Sequence, residues 1–179
     1  MRHPHCRSLV HTSRTILLSL ALLAGPWVFA QKVTVEFDQS ADFAKYKTFA
    51  IRNGQLNSKN PALNSELVKK QIEDDIRRDL TVRGLTEVSE RPDLNVVYHF
   101  GSARKTELET YPGWRGWGTR VVRVPYAEGT LVIDLRDPSI HSLVWRGIAS
   151  EEKSDPAKIQ GKLDDMVKKS LAKYPPNKK

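Results

Sequence analysis

The sequence predicts a single α+β domain: a mostly antiparallel sheet of about five or six strands, with two main helices packed on one face. Three observations lead there. Several short segments alternate β-branched or aromatic residues with polar ones. Two longer stretches, around 60–84 and 155–176, repeat apolar residues at steps of three and four. No internal repeat or low-complexity linker divides the chain. Period two marks a half-buried strand and period 3.6 an amphipathic helix; strands and helices mixed in this way form an α+β layer.

Taken in order, Val33-Thr34-Val35-Glu36-Phe37 is the first strand. Asp38 to Asp42 is turn chemistry. Phe43 and Tyr46 follow, three apart in a short helical turn, and Thr48 to Ile51 is a second strand. The polar stretch from Arg52 to Lys59 contains Asn53-Gly54 and reads as a loop. Asn60-Pro61 supplies a cap and a first-turn proline for a helix whose stripe is Val68, Ile72, Ile76 and Leu80. Leu63 and Leu67 fall off that stripe, which leaves the helix start open. Gly84 ends the helix, as a residue suited to the left-handed conformation.

Leu85 to Val88 is a short strand. Pro92-Asp93 launches Leu94 to Phe100, with Leu94, Val96, Tyr98 and Phe100 on one face. Residues 101–119 read as a polar, Gly-rich loop, and Val121–Tyr126 and Gly129–Arg136 as two strands. After a turn at Asp137-Pro138-Ser139, Leu143 to Ala149 returns, with Leu143 and Trp145 placed on one side. Asp134 and Arg146, on the other faces of their strands, are placed to pair across the sheet. Asp155-Pro156 caps a final helix with the stripe Ile159, Leu163, Met166, Val167, Leu171 and Tyr174, stopped by Pro175-Pro176.

Residues 1–30 read as a secretory leader rather than as part of this fold. Arg2, Arg7 and Arg14 precede an apolar run from Ile16 to Ala24, Gly25-Pro26 breaks it, and Val28-Phe29-Ala30 forms a cleavage site before Gln31. The run is short of the roughly 20 residues that a membrane-spanning helix needs. The expectation is export, with cleavage after Ala30, a periplasmic location, no transmembrane anchor after cleavage, and a working domain at 31–179 of single-domain size. The one cysteine, Cys6, precedes the apolar run. It would leave with the leader, so neither a disulfide nor a lipidated cysteine is expected. The formal charge of +8 falls by three, to +5, when the leader arginines go. Surplus positive charge in an exported protein points to anionic lipid or glycan, or simply to a solvated surface, rather than to nucleic acid.

The blocks Val33-Thr34-Val35-Glu36-Phe37-Asp38, Asp42-Phe43 and Tyr46-Lys47-Thr48-Phe49-Ala50 resemble the opening of the bacterial domain of unknown function 4136 family. Pro92-Asp93-Leu94 is similar to its middle. Gly129 to Leu135, followed by Leu143-Val144-Trp145-Arg146-Gly147, resembles its most specific block, and Tyr174-Pro175-Pro176 fits its end. The resemblance implies an exported envelope protein, often a lipoprotein, with no activity or catalytic residues to carry over. The chain departs from lipoprotein members in lacking a cysteine after the leader, and Ile51 stands where a tryptophan is expected.

Catalytic chemistry finds little support in the residues. Outside the leader, His99 and His141 are the only histidines, and a zinc site would need Asp134 or Asp137 to converge with both. There is no nucleophile elbow or phosphate-binding loop. The acidic pairs Asp74-Asp75, Glu151-Glu152 and Asp164-Asp165 read as solvated charge. No catalytic, cofactor-binding or metal residues are assigned, and no cofactor is expected. The most unusual stretch is 111–118, where Tyr111, Trp114, Arg115 and Trp117 are interleaved with glycines. Aromatics and arginine dominate binding hot spots. These four residues are the candidate interaction surface, for an envelope protein, a glycan or a lipid surface; the alternative is that the tryptophans fold back over the open sheet face. A membrane-surface role for the basic C-terminal helix with Lys178-Lys179, and an enzyme of unknown class, are the competing readings.

Overall fold

The computed structural model describes residues 32–112, 119–153, 155 and 157–176, and for 104, 107–112 and 119–127 it describes the backbone. Residues 1–31, on which the expected leader falls, Pro156 and Lys178-Lys179 lie outside the described residues. Among the described residues no helix is long and apolar enough to cross a membrane.

Among the described residues, seven strands form one mixed sheet: β1 (Lys32–Phe37), β2 (Thr48–Ile51), β3 (Gln55–Ser58), β4 (Thr86–Glu87), β5 (Leu94–Pro112), β6 (Thr119–Asp137) and β7 (Ser142–Lys153). Their order is β1-β7-β6-β5-β2-β4, with β3 beside β2 along the same edge of β5. The long central strands and β1 pair antiparallel. The short strands depart from the expected pattern: β2 and β3 both run parallel to β5, and β4 parallel to β2. Parallel neighbours need a crossover, and the long helix supplies one. That helix, α1 (Glu66–Val82), carries the chain between β3 and β4; α2 (Ala157–Gln160) and α3 (Leu163–Leu171) follow β7.

One hydrophobic core joins the helices to one face of the sheet. Val68, Ile72, Ile76 and Leu80 of α1 are fully buried, as their spacing predicts, together with Leu94, Val96 and Tyr98 of β5 and Leu131, Ile133 and Leu135 of β6. Each such side chain contributes about 2 kcal/mol of burial energy. From the other helix, Leu163, Met166, Val167 and Leu171 close the same core. Trp145, the largest fully buried side chain, meets Tyr174 edge to face at 5.8 Å.

Several local expectations are corrected. Asn60-Pro61 caps a separate one-turn 3-10 helix, Pro61–Leu63, while α1 starts later, with the Ser65 hydroxyl accepting from Val68 N at 3.3 Å. This explains the two leucines off the stripe: Leu63 is fully buried from the turn, and Leu67 is exposed on α1. The C-terminal helix is interrupted at Gly161-Lys162, although Ile159 and Leu163 both remain buried. The supposed loop 52–59 contains β3. Asn53 takes a left-handed φ of 49°, and Gly54 lies against the Tyr98 ring, where a Cβ would come within 2.2 Å. That turn divides β2 from β3 while both stay on β5.

The returning strand also carries a bulge. Its register shifts between Leu135 and Arg136, so that Leu135 faces Trp145 but Arg136 faces Leu143. The extra residue turns both Val144 and Trp145 into the core, whereas Leu143 is only partly buried. Strict alternation therefore placed Leu143 wrongly: a bulge reverses parity. Of the acidic pairs read as solvated, Asp75 and Glu151 are buried. Asp75 is held by Arg78 at 2.7 Å, with burial pushing its carboxyl pKa up, and Glu151 pairs with Lys153.

Candidate interaction surface

The largest departure from the sequence expectation lies where the candidate residues are. Residues 101–112 are not loop: β5 continues to Pro112, and β6 is one strand rather than two, starting at Thr119. An unbroken antiparallel register runs from Asn95 opposite Arg136 to Pro112 opposite Thr119. Gly129 does not break the strand. Its missing side chain instead admits Ile159 of α2, whose Cγ2 would lie 2.6 Å from a Cβ there.

The neighbouring strands stop far short of this hairpin's end. β3 leaves β5 at Ser102, and β7 leaves β6 at Ala127. Residues 105–112 and 119–126 therefore pair, among the described residues, only with each other. At about 3.3 Å per residue, this two-stranded arm extends roughly 25 Å past the sheet. Tyr111 sits opposite Arg120 near its outer end. Trp114, Arg115 and Trp117 lie outside the described residues, in the six-residue segment joining Pro112 to Thr119.

At the root of the arm, the sheet face away from the helices has a shallow groove of about 500 Å³. His99 and Lys105 of β5, Gln55 and Asn57 of β3, and Glu128 and Thr130 of β6 line it. Gly101 and Ala103, small residues between His99 and Lys105 on the same face of β5, form its low floor. Lys105 pairs with Glu128. Both His99 and His141 are exposed, and His141 takes a left-handed φ of 52° in the β6–β7 turn.

The two aspartates that a metal site would have needed have other partners. Asp134 lies opposite Arg146, and the expected pair forms as a fork: Nε to Oδ1 and Nη2 to Oδ2, both 2.7 Å. Asp137, buried at the end of β6, accepts from Ser139 N and Oγ at 2.8 and 2.5 Å, from Tyr46 Oη at 3.0 Å, and pairs with Lys45 at 3.0 Å. Burial pushes its carboxyl pKa up, but the Ser139, Lys45 and Tyr46 donors outweigh that and hold it well below the usual carboxylate range. Nearby, Asp93 accepts from Lys47 N and Thr48 N at 2.9 and 2.8 Å. These carboxylates tie β6 and the start of β5 to the turn before β2. Sequence reading missed Lys45, Tyr46 and Asp93; the Asp-x-Ser pattern at 137–139 was the available signal. Among the described residues, no three His, Cys, Asp or Glu side chains converge as metal ligands would.

Comparison with known proteins places this architecture. A PDZ domain protein from Parabacteroides distasonis matches over 83% of this chain at 19% identity, with a TM-score of 0.57. The match takes up 36% of that protein, so the chain spans about a third of its length. The PelC dodecamer subunit from Paraburkholderia phytofirmans matches over 79% of this chain and 96% of its own, at 10% identity and a TM-score of 0.50. These likenesses are of fold. No curated protein matches the sequence. The family model described as a domain of unknown function, DUF4136, matches residues 33–176, and the chain belongs to that family.

Proposed function

We propose that the protein is a non-enzymatic interaction module of the bacterial cell envelope, exported by its leader, and that the end of the β5–β6 arm is its contact surface. The observation that carries this reading is the arm itself. A hairpin extends roughly 25 Å beyond the strands that flank it, and its connecting segment holds Trp114, Arg115 and Trp117 beside Tyr111. Large aromatics and arginine joining the ends of a projecting hairpin suit recognition of another surface.

The test is a Trp114→Ala/Trp117→Ala variant presented, beside the parent, to purified peptidoglycan, to vesicles of zwitterionic or anionic lipid, and to envelope proteins under cross-linking. The expected result is loss of the parent's retained partner with unchanged circular dichroism. Retention of every partner by the variant refutes the reading.

A second reading rests on the exposed lysines around the last helices, Lys158, Lys162, Lys168 and Lys173. It takes anionic lipid as the partner, and predicts vesicle binding that weakens with salt and survives loss of the two tryptophans.

A further inference from the structure

The shaft of the arm raises a separate question from its tip. A two-stranded ribbon is marginal in water, and each strand of this one has an edge with no partner among the described residues: β5 over 105–112 and β6 over 119–126. Such edges are templates for further strands, and natural proteins usually blunt them. Here Pro112 and Pro125 lie near the ends of the shaft. Between them, 107–111 and 120–124 keep a backbone N–H at every residue.

The charges of the two edges differ in sign. The 105–112 strand carries Lys105, Glu107 and Glu109; the 119–126 strand carries Arg120 and Arg123 and no acid. Charge that only guards edges against pairing works best with the same sign on both, since like edges then repel. Opposite signs do the reverse: the acidic edge of one arm complements the basic edge of another copy. The strand directions agree as well. β5 runs outward and β6 inward, so two arms side by side and pointing the same way bring β5 of one against β6 of the next in antiparallel orientation.

We propose that copies of this chain assemble by their arms, the β5 edge of one pairing with the β6 edge of the next. The contact is heterologous, because each copy uses two different edges, so repetition gives a closed ring or an open row. Neither set of alternate positions along the two strands is uniformly apolar. The assembled arms therefore form a water-exposed sheet rather than a lipid-facing barrel. Assembly through the shaft is independent of what the tip binds.

The experiment is sedimentation velocity on the purified protein over a range of concentrations, with two charge-reversed variants: Glu107→Arg/Glu109→Arg and Arg120→Glu/Arg123→Glu. The parent is expected to self-associate, less so at about 1 M salt, where charges are screened within about 3 Å. Either variant alone faces like charge at its contact and should associate about a hundredfold more weakly or not at all. The two mixed in equal amounts complement each other, and association should return. The Trp114→Ala/Trp117→Ala protein should assemble as the parent does. A monomeric parent, undiminished association of either variant, failure of the mixture to recover, or loss of assembly in the tryptophan variant overturns the proposal. Unchanged unfolding of the body in each variant confirms that folding is not what failed, and a variant with a destabilised body is replaced by Glu107→Gln/Glu109→Gln, for which a partial loss is expected and no loss is a refutation.

Discussion

Replacing Gly147 by alanine tests how tightly the last helix closes on the sheet. Gly147 lies in β7 opposite Ile133 of β6 and Val35 of β1, on the core side. A Cβ added there would stand 2.3 Å from Cη2 of Trp145 and 2.6 Å from the Ser170 carbonyl oxygen. The indole is fully buried, and the carbonyl belongs to the backbone of α3, so neither can move aside cheaply. Overpacking of this kind costs about 1–3 kcal/mol. Alanine's smaller unfolded-state entropy returns only about 0.4–1 kcal/mol. The net loss, centred near about 1.3 kcal/mol, lowers Tm by roughly 3–5 °C for a domain of this size. Urea unfolding followed by circular dichroism measures it. Trp145→Leu in the same background removes one of the two clashes, so the double variant should be less destabilised than the sum of the singles. Gly84→Ala is the contrast: its φ is 88° with no atom within 4 Å of the added Cβ, and its cost is conformational alone, about 1–2 kcal/mol. A Gly147→Ala protein within about 0.5 kcal/mol of the parent, the range of ordinary surface changes, would refute this account of the packing.

Two further outcomes follow from the buried carboxylates. Asp137 has a folded-state pKa below its unfolded value, so its donors stabilise the fold above the unfolded pKa near 3.9, and that stability drains away as pH falls toward the folded value. Asp137→Asn should lower stability at pH 7 and flatten its decline below about pH 4, read by urea midpoints across pH; an unchanged acid limb excludes this linkage. Arg146→Met leaves the buried Asp134 without its fork and should cost about 2–4 kcal/mol, less than a fully buried pair because Arg146 is partly exposed. Asp134→Val added to Arg146→Met should recover part of that loss in a double-mutant cycle; additive losses would show the pair to be uncoupled.

The sequence was most legible where burial is one-sided. The α1 stripe, the inward residues of β5 and β6, and the Asp134–Arg146 pair all follow from period and parity. The failures have physical causes. β3 has four residues and is held by a parallel neighbour, which leaves no periodic run long enough to recognise. The bulge at Val144 reverses parity within one strand. The arm was half legible: Val121 to Tyr126 reads as a strand, but in 105–112 Lys105, Glu107 and Glu109 alternate with Thr106, Leu108 and Thr110, which leaves no apolar face to reveal one. The unusual composition of 111–118 draws attention to this part of the chain, but the β5 half of the shaft leading to it was invisible for that reason.

The unbroken ladder that forms the arm also determines how the domain bears a load. β5 and β6 are the central strands of the sheet, flanked by β7 on one side and by β2 and β3 on the other. A pull at the hairpin end runs along both strand axes into the body. There it shears the flanking ladders, straining many hydrogen bonds at once, instead of peeling them open one by one. The geometry therefore resists tension applied at its outer end better than the same hairpin attached at the sheet's margin would, as befits a handle set into the middle of the fold.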